Sequence, residues 1–433
     1  MKLLIITYSY APLLNPRAFR WTALAEYWAA RGHEVEVISA AKRDLSQDEV
    51  LNGVHVYRVG GGWTDRILAR LGRRDYDLAP TDTTPTTPAP QHPLQQLKVV
   101  VTSVFKWINR RIWKNIFWPD RVCLWYFPAR RKAAQLLKRQ PYDAVISVSV
   151  YFTAHLVAYH LRDKKQWLVD IGDPFSFAET EYPNNIRLYR RLNLAVERRI
   201  FRQASAISVT TSSTAQRYSE LFPESQAKLC VIPPLLTLPI TELPPLPPSP
   251  IRLVFVGSLY RDIRRPDFLL RLFVTLLEYY LDLELHFWGF HAASVESFEP
   301  YTHLLGKKVF LHGVVDRTRA QQAMLESHIL VNIGNNALYQ LPSKVVEYIS
   351  YGKPILNISQ IPDDSSVAFF KTYPLTLNLV DGSNGHPSPE QIAKTIAFIR
   401  NTAPVFDIST RAVWLAPFQI DRIAARYLGL LNA

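Results

Sequence analysis

Thiols are scarce in this sequence: its 433 residues contain only two cysteines, Cys123 and Cys230, each in apolar surroundings. So few and so widely spaced thiols exclude a disulfide framework or a cysteine-based zinc site, and they favour a reducing, cytoplasmic compartment. The sequence also lacks any uncharged apolar run near the ~18 residues of a membrane-spanning helix. Its first apolar run, KLLII, soon ends at Tyr and Pro, which predicts a buried strand rather than a signal peptide.

Acidic residues are almost absent from one stretch of the chain. Between Lys98 and Arg139 there are eleven lysines and arginines but one acid, Asp120, and the net charge of the whole chain is +13. A local basic patch implies a local anionic partner. Aromatic residues interleave with the cations, a composition typical of the headgroup–acyl boundary of a membrane. We therefore predict peripheral contact with an anionic membrane, at the inner face of the plasma membrane, through Trp107, Arg110, Arg111, Trp113 and Lys114.

Two other interpretations fit the same basic stretch. The aromatic side chains could pack on the domain and leave the cations in water. Nucleic-acid binding also uses cations and aromatic rings, but we do not predict it, because the phosphate-binding motifs are explained below by a nucleotide sugar.

Apolar strands and helices alternate from the N-terminus. KLLIITYSY, EVEVISA and VHVYRVG predict strands, and a helix follows the first of them, with Asn15 suited to its N-cap and Pro16 to its first position. Strands that are apolar throughout and separated by helices are typical of a parallel sheet in an α/β domain.

A proline-rich stretch divides the chain. Eight of the eighteen residues from Pro233 to Pro250 are proline, which cannot continue a helix or a central strand. The strand–helix pattern then restarts at IRLVFVGS. We predict a first domain over 1–235, a linker over 236–250 and a second domain over 251–407, with the C-terminal helical segment 408–433 packing back on the first domain.

Four segments together carry a resemblance to a known family. They are RGHEVEVI after the first helix, WLVDIGDPF, LVFVGSLYRDIRRPDFLLRLF and PSKVVEYISYGKPIL. In this order, and with the linker between them, they resemble the GT-B glycosyltransferases, in particular the retaining family 4. The resemblance covers most of the chain and implies two Rossmann-like, doubly wound domains that face a central cleft, with a nucleoside-diphosphate sugar as donor.

The resemblance implies that the donor site lies in the second domain. Ser343 and Lys344 open a helix after the strand ILVNIG, where a diphosphate is favoured, and Glu347 would accept from the ribose hydroxyls. A plain Lys–Glu pair on an amphipathic helix is the alternative. Gly257 and Ser258 follow the strand LVFV, and Arg264 or Arg265 falls where relatives place a lysine on the donor phosphates.

Acceptor-side candidates lie in the first domain, where the sequence departs from the family. The usual Gly-Gly of the first loop is missing, and Asn15, Arg17 and Arg20 stand there instead. Asp173 follows the strand WLVD, so it could orient or deprotonate an acceptor hydroxyl. Tyr339 occupies the position where relatives often carry a first glutamate on the donor sugar.

Together with these residues, the resemblance implies a retaining glycosyltransferase that uses a nucleotide sugar, without metal or other cofactor, on a lipid-linked or cell-surface-glycan acceptor in polysaccharide biosynthesis. No carboxylates, histidines or cysteines occur at metal-ligand spacing, so cations must neutralise the leaving diphosphate. The alternatives are a nucleotide-sugar epimerase on the same fold and a non-catalytic, membrane-associated scaffold.

Overall fold

A computed structural model provides the fold. It describes residues 1–13, 15–42, 45–61, 117–149, 151–162, 164–178, 184–261, 264–279, 282–342, 344–382, 385–401 and 405–432. The predicted membrane-contact residues, Trp107, Arg110, Arg111, Trp113 and Lys114, and the predicted donor residue Ser343 lie outside the described residues.

The chain forms two compact units. The first comprises Met1–Ile232 together with Ile423–Ala433, and the second comprises Pro233–Arg422. The proline-rich residues 236–250 contain no helix or strand, as expected where proline removes backbone donors. The C-terminal segment 408–433, predicted to pack on the first domain, is divided between the units. Its residues up to Arg422 belong to the second unit, and those from Ile423 onwards belong to the first.

Eight strands form the sheet of the first unit, in the spatial order β3-β4-β2-β1-β5-β6-β7-β8. Their bounds are β1 Lys2–Thr7, β2 Glu34–Ala40, β3 Asp48–Leu51, β4 Val54–Val59, β5 Ala144–Val148, β6 Gln166–Ile171, β7 Ala206–Val209 and β8 Leu229–Val231. Every pair is parallel except β3–β4, an edge hairpin that sequence analysis missed. Its turn is Asn52-Gly53, with both residues at positive φ, the pair that favours a two-residue hairpin.

Six parallel strands form the sheet of the second unit, in the order β11-β10-β9-β12-β13-β14. Their bounds are β9 Ile251–Val256, β10 Leu283–Trp288, β11 Val309–Leu311, β12 Ile329–Ile333, β13 Ile355–Ser359 and β14 Thr376–Val380. The strand order reverses between β9 and β12, as it does between β1 and β5 in the first sheet. In open α/β sheets ligands bind at the carboxyl ends of the strands beside such a reversal.

Helices cover both sheets. Their bounds are α1 Pro16–Ala29, α2 Tyr126–Arg139, α3 Thr153–Tyr159, α4 Arg190–Gln203, α5 Ser212–Leu221, α6 Asp267–Leu277, α7 Arg317–Leu325, α8 Val345–Ser350, α9 Ser365–Phe370, α10 Pro389–Arg400, α11 Ile408–Leu415 and α12 Ile420–Asn432. The predicted start of α1 is confirmed: Asn15 Oδ1 accepts from the Ala18 backbone N–H at 2.8 Å, and Pro16 is the first helical residue. None of the described helices is long and apolar enough to cross a membrane.

Each unit has its own apolar core. In the first unit Trp21, Trp28 and Trp167 are buried completely, and in the second unit Phe273 and Val331 are among the residues with no exposed surface. Complete burial of one large apolar side chain contributes roughly 1.5–3 kcal/mol, so these layers hold the strand ends in fixed positions.

Lys353, in the Gly-Lys-Pro turn after α8, serves the fold. It is 1 % exposed, and its Nζ donates to the carbonyl oxygens of Met324, Leu325 and Ser327 at 3.2, 2.6 and 2.6 Å. These carbonyls end α7, where a cation opposes the negative end of the helix dipole. The lysine therefore closes a helix and lies outside the site described below.

Candidate active site

Two glycines bring the ends of β9 and β10 together in the second unit. Gly257 directly follows β9, and its N–H donates to the Trp288 carbonyl at 2.8 Å. Gly289 follows β10 at φ +125°, and a Cβ there would lie 2.2 Å from the Gly257 carbonyl oxygen. Only glycine fits such a contact and such a φ. The backbone beside the strand reversal is thus left without side chains that would fill the crevice.

Arg264 lies at the carboxyl ends of β9 and β12. Its two terminal nitrogens donate to the Ser258 carbonyl at 3.3 Å and to Asn335 Oδ1 at 2.7 Å, while its Nε has no hydrogen-bond partner among the described residues. Burial lowers the pKa of this guanidinium from its ordinary value. A desolvated guanidinium held in a fixed orientation binds a diphosphate through its fork more strongly than an exposed one.

The structure separates the two arginines that the sequence left as alternatives. Arg265 is more than half exposed, and its Nε pairs with Asp267 at 2.9 Å. It therefore covers the start of α6, whereas Arg264 reaches the strand ends.

Asp364 is a buried carboxylate near Arg264 that sequence analysis missed. One of its oxygens accepts from the Ser366 N–H at 2.7 Å, and the other has no partner among the described residues. Gly334, directly after β12, allows this approach, because a Cβ there would lie 2.5 Å from Asp364 Oδ2. Burial raises the pKa of Asp364 against the opposing effects of Ser366 and Arg264. The only sequence signal was an aspartate before Ser-Ser, the pattern of a helix N-cap.

Lys344 and Glu347 are placed differently from the prediction. Helix α8 has six residues and begins after Lys344, so this lysine is its N-cap and not part of its first turn. Lys344 Nζ donates to Glu347 at 2.7 Å, and Arg317 lies 3.9 Å from the other carboxylate oxygen. The Lys–Glu pair that we considered as the alternative is therefore formed, and Glu347 stays partly exposed between two cations.

In the first unit Asp170 organises the end of β6. This fully enclosed carboxylate accepts from Trp21 Nε1, Ser208 Oγ and Tyr427 OH at 3.0, 2.7 and 2.8 Å, and Arg17 lies 3.1 Å away. Burial acts to raise its pKa, but the arginines nearby and the hydroxyl donors outweigh burial and lower it. Asp170 is therefore a charged, fully hydrogen-bonded support for Arg17.

Of the acceptor-side candidates, Arg17 alone borders the edge that carries Asp173. Its guanidinium lies against Gly172, where a Cβ would come within 2.2 Å of Nη2, and this Nη2 has no partner among the described residues. Arg20 is 7 % exposed and donates to Tyr427 OH at 2.9 Å. The prediction that Arg20 belongs with Arg17 on an acceptor-facing surface is corrected, because Arg20 lies on the buried face of α1. Asn15 uses its side chain for the helix cap.

Asp173 follows β6 at the carboxyl edge of the first sheet. Burial raises its pKa from the ordinary value, and Arg17 acts in the opposite direction. A carboxylate whose pKa moves toward neutrality is better suited to accept a proton from a hydroxyl.

Glu197, which sequence analysis missed, supports the segment that carries Asp173. This buried residue of α4 accepts from the Ser176 N–H at 3.2 Å and from Tyr218 OH at 2.7 Å. Burial raises the pKa of Glu197 to about 7. Its signal in the sequence was weak, because one acid among the arginines of α4 is typical of a solvated helix.

We expect Glu197→Gln to flatten the pH dependence of stability. Between pH ~4.5 and ~7 the folded state holds a proton that the unfolded chain has released, so the free energy of unfolding falls as pH rises. Urea unfolding at pH 5 and pH 8 provides the measurement. Between these two pH values the free energy of unfolding should fall by about 2–3 kcal/mol less in the variant than in the wild-type protein. Glu220→Gln, at an exposed position of α5, should keep the wild-type dependence of the unfolding free energy on pH. The same pH dependence in all three proteins would contradict the prediction.

Among the described residues no three His, Cys, Asp or Glu side chains are grouped so as to hold a metal ion. The positive charges at the strand ends of the second unit come from Arg264, Lys344 and Arg317, which can accompany an anionic ligand.

Several solved structures have a similar fold over the whole of this chain. Sucrose-phosphate synthase from Thermosynechococcus elongatus is 14 % identical, with a TM-score of 0.63 over 100 % of this chain and 98 % of that chain. TarM is 10 % identical, with a TM-score of 0.61 over 100 % and 99 %. Anabaena Alr3699/HepE, solved with UDP, is 13 % identical, with a TM-score of 0.58 over the whole of both chains. No curated protein sequence matches the chain.

These similarities and the two parallel sheets define the class: the protein has the GT-B fold of glycosyltransferases. The sequence model of the glycosyl transferase 4-like domain matches residues 18–234, half of the chain. The protein therefore belongs to the glycosyl transferase 4-like family, and the predicted fold class and family are confirmed.

Proposed function

We propose that this glycosyltransferase moves a sugar from a nucleoside-diphosphate sugar to a hydroxyl of a lipid-linked or cell-surface-glycan acceptor, with retention of configuration. Arg264 carries the proposal. A half-buried guanidinium that is fixed by Ser258 and Asn335 beside the strand reversal of the second unit can neutralise a leaving diphosphate without a metal.

The other donor contacts follow from the same crevice. Gly257 and Ser258 offer backbone at close range, and Lys344 adds a cation to the phosphates. Glu347 remains partly exposed, so one of its oxygens can accept from the ribose hydroxyls. Tyr339 leaves the donor sugar without the acid that relatives often supply, so recognition of that sugar rests on other side chains.

On the acceptor side we assign Asp173 to orient or deprotonate the attacking hydroxyl. Arg17, held by Asp170, keeps a positive charge beside this carboxylate. Retention rests on the resemblance to the retaining family 4, in which the acceptor attacks the face that the diphosphate leaves. The basic, aromatic stretch that includes Trp107, Arg110, Arg111, Trp113 and Lys114 would bring the enzyme to the inner face of the membrane, where such acceptors are found.

The test is product analysis with UDP-, GDP- and dTDP-sugars, and UDP-sugars come first because the similar HepE and TarM structures contain UDP. A donor at 100 times its dissociation constant should stabilise the protein by ~2.7 kcal/mol in a thermal-shift assay. Release of nucleoside diphosphate together with a glycosylated acceptor would support transfer, and the anomeric coupling constant of the product would report retention. An isomerised donor would indicate an epimerase, and calorimetry without nucleotide binding would indicate a scaffold.

Glu347→Ala should weaken nucleotide-sugar binding by about tenfold, because the ribose loses a charged acceptor. Calorimetry with a nucleoside diphosphate and with its 2′,3′-dideoxy analogue provides the measurement. The variant should bind both compounds alike, whereas the wild-type protein should prefer the ribose. Glu326→Ala, on a partly exposed acid at the C-terminal end of α7 and outside the crevice, is the matched control. An unchanged preference in Glu347→Ala would exclude the ribose role.

A further inference from the structure

The first unit contains an apolar cavity of about 480 Å³ that no step of the proposed transfer uses. This volume lies within the ~300–1,000 Å³ of ligand pockets. Three elements supply its walls: the segment 117–127 before and within α2, helix α3 and helix α4. Its main apolar lining consists of Trp118, Leu124, Phe127, Leu156, Tyr159 and Val196.

The walls of the apolar cavity are firmly built. Asp120, which is fully buried, accepts from the Val122 N–H at 3.0 Å and from the N–H and hydroxyl of Thr153 at 2.9 and 2.8 Å. Trp118 Nε1 donates to Asn193 Oδ1 at 2.8 Å. Asp120, the one acid of the basic stretch, therefore connects its segment to α3 by hydrogen bonds, and Trp118 connects it to α4.

One exposed apolar side chain lines the apolar cavity, and two more precede the lining residue Val196 along the chain. Phe127 lines it while 67 % exposed, and Leu188 and Leu192 are 77 % and 43 % exposed. Leu188, Leu192 and Val196 follow each other at intervals of four, so Leu192 and Val196 share one face of α4. Exposed apolar residues in a continuous row mark a surface that meets an apolar partner.

One arginine lines the apolar cavity, and the helices that form its walls are rich in cations. Helices α2 and α4 carry five lysines and arginines each, and their one acid, Glu197, is turned into the core. Arg198 and Arg202 face Glu224, whereas Arg199 lines the cavity itself. Exposed Arg190 and Arg191 stand beside Leu192. An occupant must therefore combine an apolar body with a negative head.

We propose that the apolar cavity takes one hydrocarbon chain of an anionic membrane lipid, whose phosphate lies on the arginines of α4. An apolar lining disfavours a sugar or a nucleotide, and a basic rim disfavours a neutral lipid. The contact reaches deeper than adsorption of charges to a surface, because a chain leaves the bilayer interface and enters the protein. It does not depend on the residues between 98 and 116.

The experiment uses the full chain with phosphatidylcholine vesicles that contain or lack phosphatidylglycerol, both with bromine on the acyl chains. Bromine quenches tryptophan on contact. The wild-type protein should lose fluorescence only with the anionic vesicles. Trp118→Phe should be quenched less than the wild-type protein, and the quenching that remains should come from Trp107 and Trp113, which we also propose to reach the membrane. Equal quenching of wild-type protein and Trp118→Phe, or equal quenching by both vesicles, would overturn the proposal.

Two variants of α4 distinguish chain insertion from adsorption. Val196→Phe places a ring inside the apolar cavity and narrows it, whereas Ala195→Phe adds the same ring on the exposed side of the helix. Vesicle flotation should show at least about tenfold weaker binding for Val196→Phe and no weakening for Ala195→Phe. Circular dichroism and the melting temperature report whether each variant folds. If Val196→Phe does not fold, the quenching experiment with Trp118→Phe decides whether the proposal holds.

Other occupants would give other results. A photoactivatable chain that labels only residues 62–116 would overturn the proposal in favour of that segment covering the cavity. Self-association of the wild-type protein that Leu192→Asp abolishes, without vesicle binding, would overturn it in favour of a second copy of the chain.

Discussion

Replacement of Arg264 by alanine is expected to lower the rate of sugar transfer by about 10²–10³-fold, the usual cost of removing one fixed group that stabilises developing charge. The half-buried guanidinium meets the diphosphate as it leaves, when the negative charge of the diphosphate is greatest. Arg264→Lys should recover part of the rate, because it restores the charge without the fork of donors. Steady-state kinetics with the preferred nucleotide sugar provide the measurement.

The neighbouring Arg265→Ala is the matched control. It removes the same charge one residue away from a side chain that is exposed and paired with Asp267, so we expect a change of no more than about twofold. If Arg264→Ala caused a general loss of structure, it would weaken the binding of a nucleoside and of a nucleoside diphosphate by the same factor. If it removed only the contact with the diphosphate, the variant would no longer prefer the nucleoside diphosphate to the nucleoside. Equal effects of the two alanine variants on kcat/KM would remove Arg264 from the mechanism.

Asp170→Asn should cost the first unit about 3–5 kcal/mol of unfolding free energy, because it leaves Arg17, whose side chain is only 13 % exposed, without its counter-charge. The wild-type carboxylate has a lowered pKa, so its contribution is present above the ordinary value and is lost as the pH falls through the folded value. The variant should therefore differ most from the wild-type protein near neutral pH and least in acid. Urea unfolding followed by tryptophan fluorescence measures both.

Asp48→Asn, on the exposed edge hairpin, is the control for this second prediction. Asp48 is 61 % exposed and pairs with His55 at the surface, so its loss should change stability by less than about 1 kcal/mol. If Asp170→Asn were no more harmful than Asp48→Asn, Asp170 would not hold a charged Arg17.

Most of the central strands and the start of α1 could be predicted because local sequence decides them, whereas the edge strands β3 and β14 were not predicted. Buried parallel strands need uninterrupted apolar runs, and Asn15-Pro16 satisfies a helix start within a few residues. Helices α2 and α5 were not predicted, since the cations of α2 obscure its narrow apolar face, whose buried residues are Ala129, Ala133 and Leu136.

The site was harder to predict, because its contacts join distant parts of the chain. Nothing local distinguishes Arg264 from Arg265; Asn335, seventy-one residues later, does so. The spacing of Arg17 and Arg20 predicts a shared surface, but Arg20 is buried beneath Tyr427, which is 407 residues away in the sequence. Asp364 approaches Arg264 only because Gly334 lacks a side chain. Sequence patterns identified the crevices, and tertiary packing selected the side chains that reach them.

The hydrogen bond from Tyr427 to Asp170 also has a consequence for synthesis. The first unit is assembled from residues at both ends of the chain, and Tyr427 completes its buried carboxylate at 2.8 Å. A ribosome that has made the first 232 residues has therefore not yet made the last donor to Asp170. The N-terminal unit therefore lacks this hydrogen bond until the whole second unit has been translated. A stop codon before Tyr427 would remove the bond from the half of the enzyme that is made first.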